Sequence, residues 1–476
     1  MTFDKQTGTT AVAVQASIDT DHSANQQLGP TPRSVPAFLR MLFAELDRYE
    51  INYCVIHSSE MLPDHLDNDL DLAVDMQDKY NLFKVFEALR SAEYYPIQCL
   101  NHTTHGHFFV FSWTQEGLVS TAAVDIVFEH RRGGINLVSG AEMTKGRIWT
   151  GLFWRSSAEI EFSYLVAKKF YKGHASPQQQ LRLRDLVESI GIDRCVHLAS
   201  CCMPSARAAM VVAACTAGTT TEAFRGGRKV FWRTGRTRRP FAFIGYMLAE
   251  IRRGLRRYFE PTGVVVAVLG PDGVGKSTII NGLIRTLDIA FWRRTRVFHW
   301  RPNLIAGVPP GPPDTDPHGN PQRAVLPSMA YLFGFFLDHL IGRLLLIRPL
   351  TSRSYLIIFD RYLQDVLVDP KRYRYGGPQW FVRFLCRLAP RPDVTVILDA
   401  DPEQVARRKN EVSFAELQRQ SREYRRLAST THGAVLVDTG GREADSIAEA
   451  SAAVTAFMRT RFDGRFRGWL AYEREN

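Results

Sequence analysis

The sequence predicts an α/β protein in two parts: a C-terminal parallel sheet with helices on both faces, and an N-terminal α+β unit with a helical extension. Three observations carry that expectation. The run "VAVLGPDGVGKSTIINGLI" at 266–284 passes from an apolar strand through a glycine-rich loop into a helix. Four further apolar runs follow, "RVFHW", "YLIIFD", "VTVILD" and "AVLVD", spaced by helix-length sequence; strands alternating with helices build parallel sheets. Near the front, "DLDLAVD" at 69–75 alternates charged and apolar residues with the two-residue period of a strand. At 476 residues the chain exceeds the roughly 250 at which single cores stop growing, so more than one core is expected.

Taken in order, residues 1–35 are polar and end in "GPTPRSVP", the pattern of a disordered tail. The front unit spans 36–135. It opens with the helix "AFLRMLFAELDRYE" and the strand-like "INYCVIHSS", then "DLDLAVD", the helix "KYNLFKVFEALRSAEY", and the strands "HFFVFSW" and "AAVDIVFEH". Residues 136–225 form the helical extension, clearest in "EIEFSYLVAKKFYKG", and 226–261 a basic connector. The parallel-sheet domain covers 262–462, and 463–476 a C-terminal tail. The Pro-rich stretch 302–322 is too irregular for a helix or strand and is expected to lie as a loop over the site.

No run of 18 uncharged apolar residues is present, so no membrane span is expected. The N-terminus lacks the order of a secretory signal, and seven irregularly spaced cysteines make no disulfide framework, which points to the reducing cytoplasm. The net charge of +11 is concentrated: Arg225–Glu260 holds eleven Lys/Arg against Glu250 and Glu260. Within it, "RRPFAFIGYMLAEIRRGLRRYFEP" sets Arg252, Arg253, Arg256 and Arg257 beside clustered apolar residues. Such a helix suits either an anionic membrane surface or a core with a solvated Arg face. No nucleic-acid reader motif accompanies it.

Gly270 to Ser277 satisfies G-x-x-x-x-G-K-[ST]. Gly270, Gly273 and Gly275 let backbone N–H groups of the loop, through Asp272, Val274 and Thr278, face phosphates at a helix N-terminus. Lys276 neutralises phosphate charge and the Ser277 hydroxyl is a Mg²⁺ ligand. In "LIIFDR", an apolar strand delivers Asp360 at its C-terminal end, where α/β sheets bind ligands, with Arg361 beside it. The cations Arg407, Arg408 and Lys409 begin a mixed-charge stretch suited to a lid that stabilises a phosphoryl group in transfer.

Together these segments resemble the thymidylate kinase family of P-loop nucleoside monophosphate kinases over about residues 262–460. The resemblance implies ATP and Mg²⁺ as cofactors, with Ser277 and Asp360 on the metal. It implies catalytic roles for Lys276, Asp360, Arg361, Arg407 and Arg408. Asp272 then meets the acceptor's sugar, Arg361 grips the acceptor's phosphate, and "LVDTGG" at 436–441 lies by the base of ATP. After "DRY" that family continues with small residues and a Tyr-Gln that read thymine. This chain reads "LQDVLVDPKRYRYGGP", with Asp365, Asp369, Lys371, Arg372 and Arg374. That arrangement is similar to thymidylate-kinase-like proteins of bacterial surface-polysaccharide gene clusters. The expected acceptor is therefore a nucleotide, phosphosugar or related phosphate-bearing small molecule. An ordinary dTMP kinase is the competing enzyme, and a nucleotide-binding switch or scaffold the competing class.

"IHSSEMLPDHLDNDLDLAVD" resembles the start of a polymerase-β-type nucleotidyltransferase, in which a D-x-D pair and a third carboxylate clamp two Mg²⁺ ions about 3.5–4 Å apart. Asp69 and Asp71 share a strand face, and Asp125 is the natural third. Ser59 matches that family's [GS] position, whereas Ser58 stands where the family has Gly. His102, His105 and His107 read as structural or exposed rather than as a metal site, and Lys168 or Lys169 as a phosphate contact. A second copy of the chain is an admissible partner, and the location is cytoplasmic, with a peripheral hold on the inner membrane surface as the extension of the basic connector.

Overall fold

The structure is a computed structural model that describes residues 33–57, 60–66, 68–304, 321–408 and 413–474. The expected tail, Ser58, Ser59, Lys409 and most of the Pro-rich stretch fall outside the described residues.

The front sheet has seven strands. In chain order its members are β1 (Tyr53–Val55), β2 (Asp69–Val74), β3 (Tyr95–Thr103), β4 (Gly106–Gln115) and β5 (Leu118–Val127). A separate hairpin, β6 (Glu129–Arg132) and β7 (Ile135–Ser139), follows, and then β8 (Ile148–Trp149) and β9 (Trp154–Arg155) return to the sheet. Its order is β3-β4-β5-β2-β1-β9-β8, so the sheet runs on past residue 135, where the front unit was expected to end. β2 and β5 lie parallel at its centre, with Asp71 opposite Asp125.

The second sheet is β10 (Val264–Leu269), β11 (Thr295–His299), β12 (Leu356–Asp360), β13 (Val394–Asp399) and β14 (Ala434–Asp438), all parallel and ordered β11-β12-β10-β13-β14. All five match expected strands. Alternate residues of β10 feed two cores: Val264, Val266 and Val268 join one, Val265, Ala267 and Leu269 the other. That two-sided burial explains why the strand reads as an unbroken apolar run.

The two sheets are not separate bodies on a tether. Ile97, Leu100, Phe108, Val110 and Ala123 of the front sheet belong to the same buried cluster as Val264, Leu283 and Phe291. Gln98 Nε2 donates to the Ala290 carbonyl at 2.6 Å. The last helix, Glu443–Arg474, also ties them, and it corrects the expected tail at 463. Phe462 lies in the front core, Phe466 packs on Phe83 at 4.6 Å, and Arg90 pairs with Asp463. The connector is likewise ordered, as the helices Gly227–Arg238 and Pro240–Phe259.

Among the described residues one helix, Val325–Ser352, is long and apolar enough to cross a membrane, although Asp338 and Arg343 interrupt its apolar run. One face of it is core: Leu332, Phe335, Phe336, Asp338 and His339 are buried, and Asp338 accepts the backbone N–H groups of Asn303 and Leu304 at 2.8 and 2.7 Å.

Candidate functional site

The glycine-rich loop leaves the C-terminal end of central strand β10, with β12 on one side and β13 on the other. Order reverses at that strand, and the crevice this opens is where such sheets bind ligands. Gly275 has φ +104°, a left-handed conformation that L-residues rarely adopt, and a Cβ there would meet nothing within 4 Å. The space beside the loop's last turn is open for a ligand, and the helix Lys276–Leu287 starts directly after it.

Lys276 is buried and folds back over the loop, donating to the carbonyls of Gly270 and Pro271 at 3.0 and 2.7 Å and to Asp272 Oδ1 at 3.2 Å. Burial, and then the nearby Arg361 charge, push its ammonium down to about 8 against the pull of Asp272 and Asp360. Asp272 collects three cations: Lys276, Arg361 and Arg372 all reach its carboxylate. Burial opposes that charge, but Arg361, Lys276 and Arg372 outweigh it and hold the carboxyl well below its usual range.

Arg361 follows β12 in the left-handed region, at φ +74°. Its guanidinium is 2% exposed and lies between Asp272 and Asp365, the latter at 2.5 Å. Asp365 is wholly buried and also accepts the hydroxyls of Tyr373, at 2.7 Å, and Tyr424. Arg361 was expected to point at an acceptor; here it is enclosed by carboxylates. Arg372, which sequence reasoning left without a role, reaches Asp272 from the following segment. Tyr373 next to it stacks on Trp300 at 4.1 Å. The signal for Arg372 was present only as the unusual "DPKRYRYGG".

Asp360 sits opposite His299 on the neighbouring strand, whose Nδ1 lies 3.3 Å from its Oδ2. Burial works against the Asp360 carboxylate, but His299 and Lys276 outweigh it and keep its carboxyl low. Its other oxygen, Oδ1, is buried and has no hydrogen-bond partner among the described residues. An ionised, orphaned oxygen beside a phosphate loop fits a cation ligand, and Ser277 at the start of the helix is exposed to complete the set. Arg407 and Arg408 end the helix Pro402–Arg408, Arg407 paired with Glu403 at 4.0 Å and Arg408 donating to the Thr439 carbonyl at 3.2 Å.

A second cluster lies in the front sheet. Parallel pairing of β2 and β5 puts Asp69, Asp71 and Asp125 on one face, and one ligand oxygen from each lies within 4.8 Å of the others. Leu70, Leu72 and Val124 point the other way, into the front core. Lys168 projects from the helix Ala158–Lys172 to Asp71 at 3.1 Å and Tyr164 OH at 3.0 Å, and His57 Nε2 reaches Asp71 at 2.7 Å. Burial opposes the Asp71 charge, yet Lys168 and His57 outweigh it and hold its carboxyl far below the usual range. Asp69 feels Lys168 and His57 too, but more weakly. Burial and the charges of Asp71 and Asp125 push its carboxyl up to about 6.

His102, dismissed with its neighbours on sequence, meets Asp125 Oδ1 at 2.6 Å, while His105 turns to Glu129 and His107 is buried. Lys169 is buried, and burial pushes its ammonium down to about 8 against the weaker pull of Asp71 and Asp69. The acidic cluster opens into a cavity of about 730 Å³ that is ringed by cations, among them Arg132, Lys172 and Arg228. Trp292, Arg293 and Arg294 of the parallel-sheet domain close its far wall.

Strand order, loop and strand-end carboxylate define a mixed α/β protein with a parallel sheet built around a glycine-rich loop. About 30% of the chain is homologous to thymidylate kinases. It is 30% identical over 137 residues to one named "Probable thymidylate kinase" from Pyrobaculum aerophilum, covering 29% of this chain and 65% of that protein. A counterpart of the same name from Pyrobaculum calidifontis is 26% identical over 153 residues, covering 30% of this chain and 67% of that protein. The chain thus spans just under two thirds of the length of the first of these relatives. A solved thymidylate kinase from Ehrlichia chaffeensis aligns with 41% of this chain and 98% of its own, at 17% identity and a TM-score of 0.29. No family model matches the chain.

Proposed function

We propose that the chain is an ATP- and Mg²⁺-dependent phosphotransferase of the thymidylate-kinase-like type. The observation that carries this reading is the convergence of Lys276, Asp272 and Arg361 around an open loop, with an unpartnered Asp360 oxygen beside them. Asp360 and Ser277 would hold Mg²⁺, which supplies charge neutralisation on the transferring phosphoryl group. Loop N–H groups and Lys276 bind and orient the donor phosphates. Asp272 faces the acceptor side, and Arg361 and Arg372 hold its carboxylate in place, Arg361 acting through Asp272 rather than on the acceptor directly. Arg407 and Arg408 stand where a lid would begin.

The acceptor is a phosphate-bearing nucleotide, phosphosugar or related molecule, and surface-polysaccharide synthesis is the setting proposed for it. Arg372 and Tyr373 take up the acceptor side in place of the base-reading residues of a dTMP kinase, so dTMP should turn over poorly. ADP release measured against dTMP, other nucleotides and phosphosugars tests this. Turnover of dTMP at roughly 1–100 per second would make the chain an ordinary dTMP kinase.

Convergence of Asp69, Asp71 and Asp125 favours a second reading for the front unit, nucleotidyl transfer with a divalent cation. Mn²⁺ with a nucleoside triphosphate should raise the melting temperature, and Asp69→Asn should cancel the part of the shift that belongs to this site. The pH sense follows from Asp69. Its raised carboxyl favours the fold below an unfolded value of about 3.9, and that contribution is lost as pH rises through about 6. A cation that binds the ionised form restores it, so the Mn²⁺ shift should be larger at pH 7.5 than at pH 5. A shift independent of both pH and Asp69 would leave the parallel-sheet domain as the sole catalyst.

A further inference from the structure

The helix Pro240–Phe259 buries none of its residues, yet it is not loosely held. Phe243 packs on Trp232 at 5.6 Å, Glu250 accepts the Thr104 hydroxyl at 2.9 Å, and Arg253 donates to the Asn101 carbonyl at 3.1 Å. At its end, Arg348 donates to the Phe259 carbonyl at 2.6 Å. These contacts fix which face looks outward. On that face Phe241, Ile244, Leu248, Ile251, Leu255 and Phe259 are 87%, 54%, 62%, 54%, 55% and 69% exposed. Steps of three or four residues line them up as one stripe along the helix. Leu344 and Leu345, exposed at 56% and 70%, lie on the helical segment just before Arg348 and add to the apolar surface near this end.

Cations border the stripe. Arg252 and Arg256 each follow a stripe residue by one position and are exposed. All four arginines, Arg252, Arg253, Arg256 and Arg257, also line a cavity of about 380 Å³ with Arg461 and Arg465, and Arg256 pairs with Glu260 at 3.1 Å. A stripe this long and open exceeds the scattered apolar residues of an ordinary surface and marks a contact face. The bordering charge selects the partner. A second copy of the chain would bring arginines against arginines, whereas an anionic bilayer offers an apolar interior beneath phosphate headgroups.

We propose that the helix Pro240–Phe259 docks the protein onto an anionic phospholipid surface, its stripe entering the acyl boundary and its arginines meeting headgroup phosphates. This holds whatever the acceptor of the phosphate-loop site.

The test is co-sedimentation of the full chain with phosphatidylcholine vesicles, alone or with about one third phosphatidylglycerol. Binding to the anionic vesicles at about 0.05 M salt is expected, falling about tenfold or more without phosphatidylglycerol or at about 0.5 M salt. Leu248→Asp with Leu255→Asp should reduce binding by a similar factor while leaving circular dichroism unchanged, since both positions are already exposed. Absence of wild-type binding, or binding indifferent to the double substitution, overturns the proposal. So does a wild-type dimer that ignores vesicles and that the double substitution splits, as read by analytical ultracentrifugation.

Discussion

Lys276→Ala should reduce phosphoryl transfer by on the order of a thousandfold while the fold survives. Its three hydrogen bonds go to the loop's own carbonyls and to Asp272. Removing it leaves Asp272 still paired with Arg361 and Arg372, so no buried charge is stranded. What disappears is the one ammonium placed at the start of the helix to follow phosphate charge through transfer. Its depressed value, about 8, also means that burial keeps this ammonium poorly solvated and responsive to an arriving polyanion. The check is ADP release with the best acceptor from the screen, alongside a thermal melt. Normal turnover in a folded Lys276→Ala protein would end the kinase reading.

Asp365→Ala should cost about 3–5 kcal/mol of stability, a loss of the size found when one member of a buried ion pair is removed. Asp365 is fully buried and accepts from Arg361, Tyr373 and Tyr424, which come from three separate stretches of chain. Without it, a guanidinium that is 2% exposed keeps only Asp272, and two buried phenols lose their acceptor. Asp365→Asn retains an acceptor but not the charge and should fall between. Urea denaturation measures both. A cost below about 1 kcal/mol for Asp365→Ala would show that the cluster relaxes freely and that Arg361 is not held in place by it.

Much of the parallel-sheet domain was legible in the sequence. Its five strands read as apolar runs because both sheet faces are covered, and its loop declares itself because glycine spacing and a Lys-Ser pair serve a single chemistry. In the front unit, Asp69 and Asp71 were legible for the same kind of reason, since period-two geometry puts them on one face without tertiary help. β3 was not. Its "YPIQCLNHT" carries a proline and polar residues, and its pairing with β4 slips between Pro96 and Gln98 and again between Asn101 and Thr103, which breaks the alternation that marks a strand. The hairpin of β6 and β7 hid behind arginines for a similar reason.

By itself, then, the sequence determined everything that depends on neighbours along the chain: strand periods, the phosphate loop, the strand-end carboxylate and the charge of the connector. Tertiary structure decided which distant groups meet. Arg372 finds Asp272 from 100 residues away, and His57, Lys168 and His102 surround the acidic triad. The front sheet shares a core with the parallel sheet, and one face of the Pro240–Phe259 helix stays uncovered. Helical spacing shows that such a stripe exists, but whether it is buried depends on what packs against it, and sequence periodicity carries no information about that partner.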